Sequence, residues 1–264
     1  MKNPTYVLYH GACPDGFGAA WAAWRALKSS AQYIPCFFSK PMPVLPADAK
    51  VLMVDFSYPR PKMMELASKV KEIMILDHHK TAADALGDLP WAKFDMNHSG
   101  AYLSWVHFHG TPVPEFVLYL EDRDLWRFKL PHSAEVAATL TSYPMDFVVW
   151  EKLSLTGMDK MKLVGGDLLR MEGQLVTDMV SRAYWKEIGG HRVPVANASV
   201  MFSQVGDRLC QLHPEAPFAA YYYDRNDGKR IWGLRSPGRF DVSVVAKSLG
   251  GGGHPGAAGF EEDL

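Results

Sequence analysis

Three apolar runs in the first eighty residues each stop at a side chain that can bind a metal ion or a phosphate. Ile73-Met74-Ile75-Leu76 ends in Asp77-His78-His79, Thr5-Tyr6-Val7-Leu8-Tyr9 in His10, and Val51-Leu52-Met53-Val54 in Asp55. Strands buried in a parallel sheet read as continuous apolar runs, and open α/β sheets bind ligands just beyond the carboxyl ends of their strands. One histidine at a strand end is more often a hydrogen-bonded structural residue than a ligand. Three such ends weaken that account, because each buried carboxylate or imidazole would need its own partner. A two-metal centre explains them together, with ions about 3.5–4 Å apart, a bridging carboxylate, flanking Asp and His ligands, and open positions for water and substrate. Mixed oxygen and imidazole donors suit Mn²⁺, with Mg²⁺ or Fe²⁺ as alternatives, better than structural Zn²⁺.

The elements that must position these residues follow from the pattern around them. The loop Gly11-Ala12-Cys13-Pro14-Asp15-Gly16 opens an Ala/Trp-rich helix reaching about Leu27. A strand is predicted over 33–38, a loop at Pro41, Pro43 and Pro46, and a helix beginning near Pro59 and Pro61, with Met63, Met64, Leu66, Ala67 and Val70 at helical spacing. Such alternation predicts a mostly parallel sheet with helices on both faces. Ser99 reads as the N-cap of a helix carrying Tyr102, Leu103, Trp105 and Val106, and a helix over 115–121 leads into Asp122-Arg123-Asp124-Leu125-Trp126. A long helical pattern then runs over 159–184 through Met161, Val164, Leu168, Met171, Leu175 and Met179.

Beyond residue 189 the texture changes to strands over 193–200, 217–223 and 231–234, with Asn226-Asp227-Gly228 as a hairpin turn and Asp241 capping a short helix. The expected fold is α/β: a metal-binding domain over 1–155, a connecting helix over 156–188, and a smaller α+β substrate-binding domain over 189–264. The tail carries four glycines followed by His254. Backbone N–H groups in such a run can form an anion nest, Arg235 can hold a phosphate bidentately, and His254 can donate to it. Arg239 is a lesser helper. Trp126 and Tyr221–Tyr223 can stack a base, although core packing is the favoured reading.

Composition sets the outer limits. The chain has 264 residues, 48% hydrophobic and 22% charged, with a net charge of −1, so a polyanion must meet a local basic site or a metal rather than a general field. Cys13, Cys36 and Cys210 are odd in number and dispersed, which argues against a disulfide framework and for a reducing cytosol. With no signal-like N-terminus and no apolar run of membrane-span length, a cytoplasmic protein without membrane partners is expected.

These motifs, taken in order, resemble the DHH phosphoesterase superfamily, matched by Asp77-His78-His79, with the associated C-terminal DHHA domain, matched by Gly251-Gly252-Gly253-His254-Pro255-Gly256-Ala257-Ala258-Gly259 and by Leu234-Arg235-Ser236 upstream. The resemblance spans nearly the whole chain and points to the oligoribonuclease/nanoRNase-like and RecJ-like branch. It implies that Asp55 bridges two metals, that His10 serves one of them, and that His78 and Asp15 serve the other. His79 would contact substrate phosphate, while Asp77 would orient the cluster or touch the metal itself, so that Asp77, His78 and His79 form the catalytic motif. A fourth ligand would be Asp122 or Asp124, with Asp124 favoured.

The first motif departs from the family's His followed by Asp-x-Asp-Gly. Either Cys13 stands where the first Asp is expected, or Asp15 is that residue and Phe17 replaces the second. A Cys13 thiolate could ligate a softer metal; a small buried residue is the competing reading. Arg235, Ser236, Gly252, Gly253, His254 and His79 would bind substrate. The implied activity is metal-dependent hydrolysis of phosphodiester or phosphomonoester bonds in short oligonucleotides or small nucleotides, with no long duplex as partner and a homodimer compatible with it. The rivals are a polyphosphate or pyrophosphate hydrolase and a catalytically impaired nucleotide-binding regulatory module.

Overall fold

The computed structural model describes residues 3–11, 13–38, 40–238 and 240–264, so Arg239 lies outside the described residues. The chain divides into two compact units, Met1–Leu169 and Arg170–Leu264, the boundary falling inside one long helix. No helix among the described residues is long and apolar enough to cross a membrane.

The first unit runs β1 (Thr5–His10), α1 (Pro14–Leu27), β2 (Ala31–Cys36), β3 (Lys50–Val54), α2 (Arg60–Lys69), β4 (Glu72–Asp77), α3 (Lys80–Leu86), β5 (Ala92–Phe94), α4 (Gly100–His109), α5 (Glu115–Asp124), α6 (Ser133–Ser142), α7 (Phe147–Thr156) and the long α8 (Met158–Ser181). Its five strands are all parallel, in the order β2-β1-β3-β4-β5. The chain leaves β1 for the edge strand β2 and returns to β3 on the other side. The switch point of the sheet therefore lies at the carboxyl ends of β1 and β3, where such sheets open a crevice for ligands.

Period-two alternation sends one set of strand residues to each face, and helices cover both. Val7, Tyr9, Leu52, Val54 and Leu76 join a core with Trp21, Trp105, Phe116 and Trp150 from α1, α4, α5 and α7. Tyr6, Leu8, Val51, Met53 and Ile75 join a second core with Met63 and Leu66 of α2 and Leu86 of α3. Each such large side chain contributes about 1.5–3 kcal/mol on full burial.

The second unit holds β6 (Tyr184–Ile188), β7 (His191–Asn197), α9 (Phe202–Leu212), β8 (Ala219–Asp224), β9 (Lys229–Arg235), α10 (Val242–Ser248), β10 (Gly252–His254) and β11 (Ala257–Asp263). Its sheet has the order β10-β11-β9-β8-β7-β6 and is antiparallel except for the parallel β7–β8 pair. The architecture is thus α/β with a parallel sheet, followed through a long helix by a smaller α+β unit. Two boundaries differ from the sequence expectation. The connecting helix stops at Ser181, and residues 184–188 form a strand because Tyr184, Trp185 and Ile188 pair with β7 across a Gly189-Gly190 turn. The glycine-rich tail is a strand pair, β10–β11, added to the edge of β9.

Candidate metal centre

Three loops of the first unit, together with the end of α5, deliver polar side chains to one place. His10 is the last residue of β1, and Asp77 the last of β4, with His78 and His79 just after it. Asp55 follows β3 in left-handed backbone (φ 54°), its N–H held by the Leu76 carbonyl at 2.9 Å. Cys13 caps α1, its Sγ accepting from the Gly16 N–H at 3.3 Å, while Pro14 fixes the first helical position. Asp15, one residue on, reaches the N-terminus of α4 and accepts from the N–H groups of Gly100 (2.7 Å) and Ala101 (3.1 Å), where the helix dipole favours an anion.

Two glycines let these loops close. A Cβ on Gly16 would stand 2.3 Å from the His10 carbonyl oxygen, and one on Gly100 would stand 2.4 Å from the Asp55 Cβ. Gly100→Ala is accordingly expected to cost about 1–3 kcal/mol through overpacking and to weaken divalent-ion binding. Gly173→Ala, at an exposed helical position with open space around it, should be neutral or slightly stabilising. Thermal melts and Mn²⁺ titration calorimetry on the two variants check this; equal behaviour would remove the close-packing argument.

The donor atoms fall into three groups, each with ligand atoms within 4.8 Å of one another: His10, Cys13 and Asp55; Asp15, His78 and Asp124; and Asp55, Asp77, His78 and His79. Asp55 belongs to two of them. Its Oδ2 lies 3.4 Å from Cys13 Sγ and 3.6 Å from His10 Nδ1, and its Oδ1 lies 3.1 Å from His78 Nε2. His78 Nε2 is also 3.5 Å from Asp124 Oδ2 and 3.8 Å from Asp15 Oδ2. Asp77 Oδ1 accepts from the N–H groups of His78 (2.7 Å) and His79 (3.2 Å) and from His79 Nδ1 (2.7 Å). That carboxylate is occupied in orienting both histidines.

The electrostatics of the cluster are those of a site short of positive charge. Burial, then the charges of Asp124 and Asp55, push the Asp15 carboxyl well up. Burial and Asp55 push Asp124 up to about 6. Burial opposes the charged form of His78, but Asp55, Asp15 and Asp124 outweigh it and raise the imidazole to about 9. Burial would raise Asp55, yet its contacts with His10 and His78 hold it below the usual carboxylate range. The His78–Asp55 approach lacks the alignment of a hydrogen bond, so Asp55 Oδ1 is buried without a hydrogen-bond partner, in a residue 1% exposed. An orphaned carboxylate oxygen among imidazoles and further carboxylates is the donor set that a divalent cation satisfies. The residues fit such ions.

Asp122, kept open beside Asp124, is committed elsewhere. Its carboxylate accepts from the N–H groups of Lys129 (3.0 Å) and Leu130 (3.1 Å), and its carbonyl from those of Arg127 (2.9 Å) and Phe128 (3.4 Å). These bonds clasp the loop after α5, and Asp122 joins none of the three donor groups. Trp126 also departs from its core-packing expectation. It is 51% exposed, stands edge-on to Phe128 (38% exposed) and carries the Arg123 guanidinium over its ring at 4.3 Å. Sequence reasoning overlooked the supports behind Ser99, whose N–H donates to Glu121 Oε2 at 3.1 Å. Glu121 in turn contacts His98 Nδ1 (3.1 Å) and Arg127 Nη1 (3.3 Å). The run Asn97-His98-Ser99-Gly100 ahead of a helix was the available signal.

In the second unit, β9, β11 and β10 place Arg235, Ala257 and His254 at one register across three neighbouring strands. Arg235 donates from Nη2 to Ser203 Oγ at 2.8 Å, and its Nε is buried without a partner. Ser236 takes the Phe240 N–H on its hydroxyl, and its own N–H donates to the Gly256 carbonyl. His254, Gly252 and Gly253 are exposed.

With this geometry in hand, comparison with known proteins adds the following. No protein-family model matches the chain. An uncharacterized protein of Acanthamoeba polyphaga mimivirus is 31% identical over 278 residues, covering 96% of this chain but 66% of that relative, a little under two thirds of its length. The fold is shared with the pGpG-specific phosphodiesterase PggH from Vibrio cholerae, at a TM-score of 0.53 and 12% identity, covering all of this chain and 94% of that one. It is shared also with exonuclease RecJ bound to manganese, at a TM-score of 0.51 and 17% identity, covering 98% and 86%.

Proposed function

We propose that this chain is a DHH-type phosphoesterase that uses divalent metal ions to hydrolyse phosphoester bonds in short oligonucleotides or small nucleotides. One observation carries the reading. His10, Asp15, Asp55, His78 and Asp124, from five separate points of the sequence, converge at the switch point of a parallel sheet around a buried carboxylate oxygen that has no hydrogen-bond partner. The shared fold of a phosphodiesterase and a manganese-bound exonuclease supports it.

Divalent ions in such a site act as Lewis acids on the phosphoryl group and make water nucleophilic near neutral pH. The chain's own part is to hold and orient. His10, Cys13 and Asp55 would hold one ion and Asp15, His78 and Asp124 another, with Asp55 Oδ1 reaching toward the second through its approach to His78. Asp77 accepts a hydrogen bond from the His79 Nδ1–H, which leaves Nε2 to meet a phosphoryl oxygen. Burial disfavours the charged form of His79, yet Asp77 raises its pKa, favouring a donor there. Arg235, Ser236, Gly252, Gly253 and His254 serve the far phosphate or nucleotide end.

The test is incubation of the full chain with Mn²⁺ and, separately, a 5′-phosphorylated dinucleotide, 3′-phosphoadenosine 5′-phosphate, and polyphosphate. Nucleoside monophosphate should appear from a nucleotide substrate. Binding without turnover, or phosphate released from polyphosphate alone, would overturn the reading. Arg235→Ala should raise KM roughly 10- to 100-fold with little change in kcat, the loss of charge-assisted hydrogen bonds to a non-reacting phosphate. An unchanged KM would detach Arg235 from substrate.

A further inference from the structure

Two of the three donor groups in the cluster are chemically unequal. One is bounded by two carboxylates and an imidazole, from Asp15, Asp124 and His78, the other by an imidazole, a thiol and a carboxylate, from His10, Cys13 and Asp55. We propose that the His10–Cys13–Asp55 position is a mixed nitrogen–sulfur–oxygen site selecting a thiophilic divalent ion such as Fe²⁺, Co²⁺ or Zn²⁺, while the other position takes a harder ion such as Mn²⁺ or Mg²⁺. The inference rests on the reading that the cluster holds divalent cations, and adds to it that the pair of ions is mixed.

The geometry comes first. Cys13 Sγ lies 3.3 Å from His10 Nδ1 and 3.4 Å from Asp55 Oδ2, and His10 Nδ1 lies 3.6 Å from Asp55 Oδ2. Metal bonds of about 2.3 Å to sulfur and 2.0–2.2 Å to nitrogen or oxygen, at tetrahedral angles, set neighbouring donors roughly 3.3–3.6 Å apart. The three atoms already form the face that such an ion occupies. The other oxygen of the carboxylate closing this triangle, Asp55 Oδ1, is buried with no hydrogen-bond partner and faces His78 Nε2 at 3.1 Å, so Asp55 stands between this position and the harder one.

The surroundings of the sulfur also differ from those of a space-filling cysteine. Cys13 Sγ receives the Gly16 N–H at 3.3 Å at the start of the 14-residue helix α1 and faces both His10 Nδ1 and Asp55 Oδ2. Cys36, by contrast, sits in an apolar core beside Tyr58 and donates to the Ile34 carbonyl, and Cys210 donates to the Arg235 carbonyl; neither has an imidazole and a carboxylate beside its sulfur. Mg²⁺ demands octahedral oxygen ligands and disfavours thiolate, whereas imidazole with thiolate suits Fe²⁺, Co²⁺ and Zn²⁺. A side chain that replaces a carboxylate with sulfur therefore changes which ion binds.

Co²⁺ titration of the chelator-treated full chain, followed by absorption, tests this directly. A thiolate-to-cobalt charge-transfer band should grow in the near ultraviolet, saturate at one equivalent and persist under a large excess of Mg²⁺. The band should vanish in Cys13→Ser, and in Cys13→Asp the preference for Co²⁺ over Mg²⁺ should fall by about 100-fold. Co²⁺ binding to the wild-type chain without the band would overturn the proposal and leave the metal centre standing. A band that survives Cys13→Ser would overturn it too, and no binding of Co²⁺ or Mn²⁺ would remove both readings. The wild-type spectrum alone decides the matter should a variant fail to fold.

Discussion

Asp55→Asn is expected to lower the rate of phosphoester hydrolysis by about 1,000-fold or more while leaving the fold in place. Asp55 belongs to two of the three donor groups, and its Oδ1 lies 3.1 Å from His78 Nε2, the imidazole that also faces Asp15 and Asp124, so losing its charge weakens the whole cluster. Metal ions contribute several kcal/mol of transition-state charge stabilisation, and each 1.36 kcal/mol is a factor of about ten. The fold should survive because asparagine is among the few residues that accept left-handed backbone, and Asp55 sits at φ 54°. The Asn side chain has the same shape beside Gly16 and Gly100, where a larger group would collide. Initial rates with saturating Mn²⁺, alongside thermal unfolding without ions, separate loss of chemistry from loss of structure. Wild-type rates in the variant would remove Asp55 from the centre.

How far the sequence carried this assignment depended on whether the signal was local. The central strands β1, β3 and β4 were legible because burial on both faces makes them uninterrupted apolar runs, and the polar residue that ends each run marks the sheet edge. The edge strands were harder. β2 is only partly buried and contains Pro35, and β5 has three residues. The β10–β11 pair hid behind glycines, whose turn-forming composition masks a ladder made entirely by backbone.

At the site, the strand-end residues were readable but the contact of Asp15 with the α4 N-terminus was not, since it joins residues 85 positions apart. The choice between Asp122 and Asp124 was undecidable for a geometric reason. Both stand in the last turn of α5, and two residues apart on a helix point roughly 200° apart. One therefore turns to the following loop and the other to the histidines, and only tertiary packing says which.

Stripped of divalent ions, the protein is expected to be more stable at about pH 5.5 than at about pH 8.5, and saturating Mn²⁺ should reverse that order. His78 is raised to about 9 against an unfolded value near 6.5. The stability it confers is complete below the unfolded value and is lost as pH rises through the folded one. Asp124, raised to about 6, and Asp15, raised by burial and by its acidic neighbours, act in the same direction, because ionising them in the cluster costs more than ionising them in the open chain. Asp55 is depressed, so its contribution is already present above the ordinary carboxylate range and stays constant in this window. The net loss between the two conditions is on the order of 2 kcal/mol, a fall in melting temperature of several degrees. Cations need the deprotonated forms of the same groups, so their apparent affinity rises with pH and their binding adds stability to the folded state alone. Melting curves in chelator and in excess Mn²⁺ at the two pH values give four numbers whose signs are fixed in advance. A chelated protein whose melting temperature climbs steadily toward alkaline pH would show that the clustered carboxylates are not held in the charge-starved arrangement on which a divalent-ion centre depends.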